Sequence, residues 1–349
     1  MIRVLVVDDS LTVRARLVEI LEADSEFEVV GQASDGRRAI ELVARLKPDV
    51  VTLDIAMPDM TGLEATEHIM AHQPTPILVV SASFNRGELF DTYSALSAGA
   101  VEVMEKPRPE DDGWEQQFLS TVRIVSKIKV ITHVRARLGA MGRTRSVTLD
   151  PLRPVGDARA IDVVAIGAST GGPHALATVL AAIAPGFPIP ILGILHIDVA
   201  FASSFADWLG QQTKLPVRLA RDGEHLDHLA GEVRIAPSNL HLVVQGRRLR
   251  LVDTPARNHC KPSIDVLFES LAAERAYRVA GCVLTGMGRD GATGLLALRR
   301  NGALTIAQDE ASSVIYGMPR EAVLNGGAEH ELPLAEIGVT LDQLRRGRA

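Results

Sequence analysis

The sequence predicts an α/β protein built from two doubly wound parallel sheets in tandem. It has an N-terminal five-stranded domain, a linker, and a mostly parallel C-terminal domain with an antiparallel extension. Three observations carry that expectation. Short β-branched runs alternate with helically spaced apolar residues through roughly the first 120 positions, the alternation lapses between residues 108 and 160, and it resumes at Ile161.

The first run, IRVLVV, reads as a buried strand, and Val13, Leu17, Ile20 and Leu21 then recur at helical spacing. PDVVTLD is a strand, GLEATEHIM a helix, PILVVSAS a strand, ELFDTYSALSAGA a helix, and VEVMEKP a fifth strand closed by proline. After the turn-rich PRPEDDG, Trp114, Phe118, Val122, Val125 and Ile128 step by four or three, as an amphipathic helix requires. From Gln116 to Leu149 there are seven Arg or Lys and no Asp or Glu. This stretch suits a solvated helix face followed by a linker, a docking surface for an acidic partner, or a nucleic-acid contact. Beyond it, IDVVAIG, IPILGIL, YRVAGCVL and ALTIA are strand candidates, and PHALATVLAAI, FASSFADWL, SIDVLFESLA and DGATGLLALRR are helix candidates. GEVRIAPSNLHLVVQGRRLRLVD reads as short strands joined by turns.

Composition narrows the function classes. The net charge of -6 argues against wholesale nucleic-acid binding, and two cysteines, Cys260 and Cys282, make no disulfide framework and suit a reducing compartment. No run of 18 apolar residues occurs, and MIRVLVVDDS is no signal peptide, so a cytoplasmic protein without membrane insertion is expected.

The chemistry of the first half gathers at strand ends. Asp8 and Asp9 follow the first strand, Asp54 ends the third, and Ser81 and Lys106 follow the fourth and fifth. Functional groups collect at the carboxyl ends of strands in parallel sheets, and three clustered carboxylates call for a cation such as Mg²⁺. Any one acid here could simply end a strand or cap a helix, but five polar groups at strand ends on one edge are not explained that way. The segments VLVVDDS, TLDIAMPDMTG, VVSAS and MEKP resemble the response-regulator receiver family. The resemblance implies that Asp54 accepts a phosphoryl group from a histidine kinase. It further implies that Asp8, Asp9 and Asp54 hold Mg²⁺, and that Ser81 and Lys106 read the phosphorylated state. Val103 stands where relatives commonly carry an aromatic switch residue, and Ala56 where an acid or amide is frequent.

In the second half IDVVAIG runs into Ala168-Ser169-Thr170-Gly171-Gly172-Pro173 and then a helix. Ser169 at that junction reads as an N-cap, as part of a phosphate cradle, or as a nucleophile beside amides able to stabilise an oxyanion; the GxxxxGK[ST] and GxGxxG patterns are absent. His196 ends the IPILGIL strand, and Asp290 lies in LTGMGRDG after YRVAGCVL. Cys260 shows no nearby partner in the sequence, and His225, His228 and His241 lack metal spacing.

IGASTGG, the LH of ILHID, KPSIDVLF and LTGMGRDGA resemble the catalytic domain of the protein-glutamate methylesterases of chemotaxis. The resemblance implies Ser169 as nucleophile, His196 as base and Asp290 as its orienter, with Thr170 and Met287 at an oxyanion site or cleft. His259 and Lys261 would line the cleft. It implies hydrolysis of glutamate methyl esters on methyl-accepting chemoreceptors, with receptor glutamine deamidation, and no cofactor for the ester chemistry. Domains are expected at 1–120 (receiver), 121–158 (linker) and 159–349 (methylesterase). Asp198, two residues after His196, could compete with Asp290 for the imidazole, and the Trp114–Ile128 stripe offers a helix to hold the receiver over the hydrolase. A non-catalytic binding module and a DNA-binding regulator are the alternatives; no helix-turn-helix signature follows the linker.

Overall fold

The computed structural model describes residues 1–82, 86–107, 113–128, 130, 161–197 and 199–345. Asp198 and most of the expected linker lie outside them. The chain divides into two compact units, Met1–Val147 and Thr148–Ala349.

The first unit is a five-stranded parallel sheet, β1 (Ile2–Val7), β2 (Phe27–Ala33), β3 (Val50–Leu53), β4 (Ile77–Ser81) and β5 (Glu102–Glu105), in the order β2-β1-β3-β4-β5. Helices α1 (Leu11–Glu22), α2 (Gly36–Leu46), α3 (Gly62–His72), α4 (Arg86–Ala98) and α5 (Trp114–Val125) alternate with the strands. All of β3 and β4 is buried, as a parallel sheet covered on both faces requires. Because chain order reverses between β1 and β3, their ends diverge and open a crevice at the carboxyl edge. Thr61 and Glu64 close α3 with a capping box, which starts that helix just beyond the crevice.

Helix α5 changes one expectation. Its stripe of Trp114, Phe118, Val122 and Val125 is buried, and the helix packs on α1, β3 and β4. Trp114 stacks on Phe118 with centroids 5.0 Å apart and donates its indole N–H to the Glu105 carbonyl at 2.9 Å. Arg123 pairs with Glu26 at 2.7 Å and lies over the Phe27 ring. The stripe therefore completes the first unit's own core and is not a free face for holding another domain. The helix also runs through residue 120, where the sequence suggested a boundary.

The second unit has a seven-stranded parallel sheet in the order β14-β13-β12-β6-β7-β9-β8. Its strands are β6 (Val163–Ala168), β7 (Ile191–Leu195), β8 (Val217–Leu219), β9 (Val233–Ile235), β12 (Val279–Val283), β13 (Leu304–Gln308) and β14 (His330–Leu332). The helices are α6 (Gly172–Ala181), α7 (Val199–Gln212), α8 (Ile264–Ala273), α9 (Ala292–Arg300), α10 (Met318–Leu324) and α11 (Leu334–Gln343).

The antiparallel part is not an extension of this sheet. β10 (His241–Gln245) and β11 (Arg248–Val252) form a separate two-stranded ribbon. Gly246 and Arg247 both have positive φ, 55° and 66°, the geometry of a tight two-residue hairpin turn. Leu242, Val244 and Leu249 are buried while Gln245, Arg248 and Arg250 are exposed. A ribbon with one apolar face covers a helix rather than joining a sheet buried on both sides. It lies against Leu267, Phe268 and Leu271 of α8 in one apolar cluster, and Ser270 Oγ accepts the Val244 amide at 3.0 Å.

Candidate functional site

Two groups of polar side chains sit at the carboxyl edges of the two sheets. In the first unit Asp8 and Asp54 are buried and Asp9 is exposed. Lys106 Nζ donates to Asp54 Oδ2 at 2.8 Å and lies 2.9 Å from Asp8 Oδ2, without the alignment of a hydrogen bond to the latter. Burial pushes the Asp54 carboxyl up to about 6, against the opposing pull of Lys106, and raises Asp8 for the same reason. Burial alone would lower Lys106, but its hydrogen bond to Asp54 and the charges of both acids hold it above the usual lysine range.

One ammonium thus faces two buried carboxylates, Asp8 Oδ2 has no aligned donor, and an oxygen from each of Asp8, Asp9 and Asp54 falls within 4.8 Å of the others. Hard oxygen ligands short of positive charge fit a small divalent cation. Gly62 shapes the floor: a Cβ there would lie 2.0 Å from the Asp54 carbonyl oxygen, so any side chain would push α3 off the acid's strand. Ser81 is buried at the end of β4, where its carbonyl accepts the Lys106 amide at 3.0 Å. Val103 is buried in β5 as an ordinary core residue.

The second group lies at the switch point of the larger sheet, where β6 has β12 on one side and β7 on the other. Ser169 follows β6, His196 follows β7 and Asp290 lies in the loop beyond β12. The register pairs Ala168 with Leu195 and Gly167 with Val283, so the three groups leave three adjacent strands. The His196 amide donates to Ala168 O and the Ser169 amide to Thr285 O, each at 3.0 Å, which extends the ladder to the site itself. Ser169 is not a helix cap: the N-cap of α6 is Gly171, at φ 75°, with no side-chain cap bond. A Cβ at Gly286 would come within 2.6 Å of both Ser169 Cβ and Met318 Sδ, so glycine lets the β12 loop close against the serine. Met287 beside it is 54% exposed, and the Thr170 carbonyl accepts the Thr285 hydroxyl at 3.0 Å.

Asp290 is buried at the start of α8. It accepts the Ser263 hydroxyl and the Ile264 amide at 2.7 Å each, the Asp265 amide at 3.2 Å and an Asn258 side-chain N–H at 3.4 Å. Burial would raise its pKa, but His196, these donors and the positive end of the helix hold it below the usual carboxylate range. His196 Nε2 lies 3.0 Å from Asp290 Oδ2, at ion-pair distance but not aligned as a hydrogen bond. Its Nδ1 faces Cys260 Sγ at 3.6 Å. Burial opposes the imidazolium, yet Asp290 and Cys260 together push the imidazole up to about 9.

Cys260 therefore has the partner that its sequence neighbourhood did not reveal. Asn258, Ser263 and Asp265 also escaped the sequence reading as site residues. The available signal was the polar segment leading into an apolar helix, with serine at the N-cap. His241, set aside for lack of metal spacing, is fully buried: its Nδ1 accepts the Ser263 amide at 3.1 Å and its Nε2 lies 3.1 Å from Pro255 O. It supports the residue that holds Asp290. Lys261 is turned onto Asp253, and His259 is exposed at φ 64°.

Comparison with known proteins places this geometry. Residues 4–115 match the response regulator receiver domain, and residues 164–341 match the CheB methylesterase family. The chain is 41% identical over 350 residues to "protein-glutamate methylesterase/protein-glutamine glutaminase 4" of Geobacter metallireducens, covering 99% of each chain. It is 43% identical over 349 residues to the second such protein of Anaeromyxobacter dehalogenans, covering 99% of this chain and 97% of that one. It is also 39% identical over 349 residues to the corresponding protein of Nitrosospira multiformis, with the same two coverages. With both domains matched in one order and relatives similar from end to end, the chain belongs to the protein-glutamate methylesterase/protein-glutamine glutaminase family.

Proposed function

We propose that the chain is a phosphorylation-regulated serine hydrolase that removes methyl groups from glutamate side chains of methyl-accepting chemoreceptors and deamidates receptor glutamines, in sensory adaptation. The observation that carries the reading is the support of His196 by Asp290, one strand end away from Ser169, with the acid saturated by donors at the head of α8.

Ser169 Oγ attacks the ester carbonyl while His196 accepts its proton. The imidazole nitrogen now facing Cys260 turns to the serine for this step. Backbone N–H groups of Thr170 and Met287 face the developing oxyanion. The C–O bond to the methoxy group breaks, and His196 returns the proton to the departing methanol. Water then repeats the sequence on the acyl-serine and frees the glutamate carboxylate. The amide of glutamine follows the same route with ammonia leaving. Asp290 stays ionised and stabilises the imidazolium.

In the receiver unit Asp54 takes a phosphoryl group from the chemotaxis histidine kinase. Asp8, Asp9 and Asp54 would hold Mg²⁺, which supplies positive charge against the phosphoryl oxygens. Lys106 adds its ammonium to the same oxygens, and Ser81 contacts them once they are in place. None of the described helices is long and apolar enough to cross a membrane, in keeping with action on the cytoplasmic part of a receptor. Methanol release from methyl-labelled receptors, with Ser169→Ala as control, tests the reading; equal release by the variant overturns it.

A further inference from the structure

The catalytic imidazole has a neighbour that the proposed ester chemistry does not use. Cys260 Sγ lies 3.6 Å from His196 Nδ1 and 3.4 Å from the Asn258 carbonyl oxygen. The sulfur is held there by construction. Arg257 and Cys260 exchange backbone hydrogen bonds of 3.1 and 2.8 Å, and Asn258 and His259 between them take left-handed backbone angles of 51° and 64°. The Asn258 side chain then donates to Asp265 at 2.9 Å and to Asp290 at 3.4 Å. The turn carrying the thiol is thus tied to the carboxylate that supports His196. Atoms of His196, Cys260 and Asp290 converge within 4.8 Å.

Thiol, imidazole and carboxylate in that sequence form an activating relay. An imidazole in contact with a thiol takes its proton and stabilises the thiolate, which is the nucleophilic form. Cys260 is also partly exposed, which gives reagents an approach. Cys282 provides the contrast within the same unit: it is wholly buried in β12, and burial pushes its thiol up to about 12.

We propose that Cys260 is a reactive thiol, a site of modification by small disulfides and other soft electrophiles, and that its capping stops hydrolysis at the neighbouring centre. The reactivity stands on the Cys260–His196 contact alone; the inhibition rests on the triad reading above. With a small disulfide, the Cys260 thiolate attacks one sulfur and a new S–S bond forms as the old one breaks. The departing thiolate takes the proton held by the imidazole. Cys260 is oxidised to a mixed disulfide and the reagent is reduced to one thiol. The adduct occupies the space at His196 Nδ1 and denies that nitrogen to Ser169. A second thiol reverses the step by attacking the mixed disulfide.

The test uses the full chain with iodoacetamide and, separately, oxidised glutathione, read by intact mass and peptide mapping. At pH 7 we expect one adduct, on Cys260, formed roughly 10-fold faster than on free cysteine, with Cys282 untouched. His196→Gln should reduce that rate by about 10-fold. The comparison of the wild-type rate with free cysteine is a readout that needs no variant. A Cys260 rate like that of free cysteine would overturn the proposal, as would an unchanged rate in a folded His196→Gln protein. Methanol release should fall in proportion to glutathione adduct and return with dithiothreitol. Full adduct with undiminished release overturns the inhibition. Absence of release from untreated protein overturns the hydrolase reading, while the mass-read rate still decides the thiol's reactivity.

Discussion

Asp54 and Asp290 are both buried aspartates at the carboxyl edge of a parallel sheet, yet their surroundings push them in opposite directions. Asp54 has one ammonium, which it shares with Asp8, and one weak amide contact at 3.4 Å from Ala56; burial raises its pKa to about 6. Asp290 has a hydroxyl, two helix amides, a side-chain amide and an imidazole, and its pKa falls despite burial. The difference is one of supply: donors decide whether a buried carboxylate is costly or comfortable. An under-satisfied acid keeps lone pairs open for a cation and a phosphoryl group. A saturated acid is a fixed support. The first is suited to react and the second to hold another group in place.

The predictions test that contrast, beginning with the largest effect. If Asp290 is support and Ser169 the reacting group, Ser169→Ala lowers methanol release by about 10⁴-fold or more while leaving the thermal midpoint of the hydrolase unit within a degree or two. Substantial turnover by the variant would make the serine a bystander. Asp290→Asn should cut kcat by about 10³- to 10⁴-fold, because the amide no longer stabilises the imidazolium or fixes its orientation. A mild effect there would point to a different orienting acid, and Asp198→Asn would be the companion measurement.

At the receiver edge, Asp54→Ala should remove the acyl phosphate that forms with Mg²⁺ and a small phosphodonor, as read by intact mass. Phosphodonor should raise methanol release by the full chain by about 5- to 100-fold, the usual span of coupling between sites, and leave the fragment 155–349 unaffected. Equal activity of the two proteins, unmoved by phosphodonor, would reduce the receiver to a targeting module.

Stability sharpens the contrast at smaller magnitude. Asp54→Asn relieves a carboxylate held above its ordinary range and should stabilise the first unit by about 1 kcal/mol at pH 7. Asp290→Asn turns an N–H toward donors that need an acceptor and should destabilise the second unit by about 1–3 kcal/mol. Calorimetry that found both shifts of one sign would end the distinction.

The pH profile gives the finest test. His196 is raised to about 9, so its protonated form contributes stability that is full below about 6.5, the ordinary imidazole value, and lost as pH rises through about 9. If His196 is the general base, it must be neutral to act, and ester hydrolysis should rise over the same interval. Rate and thermal midpoint should therefore run in opposite directions there, and removing Asp290's charge should move both midpoints down.

Much of this architecture was legible because strand ends in parallel sheets announce themselves. Apolar β-branched runs stop abruptly at Asp8, Asp54, Ser169 and His196, and the residue that stops a buried strand must lie at the sheet's edge. β2 was harder to place: it is an edge strand with only Phe27 and Ala33 buried and lacks a continuous apolar run. β8 and β14, three residues each, left too little pattern to locate. The periodicity of Trp114, Phe118, Val122 and Val125 determined an amphipathic helix by itself, because spacing alone sets which residues share a face. Which surface that face covers was decided by tertiary structure, because a stripe carries no address. The same limit applies to the support of Asp290. Asn258 and Ser263 reach it from about 30 residues away, Cys260 meets His196 beside it, and His241 steadies Ser263 through a hairpin whose packing on α8 no local pattern encodes. Local sequence determines where a side chain leaves its strand; only the folded chain determines which donors meet it there, and those donors set its charge and its chemistry.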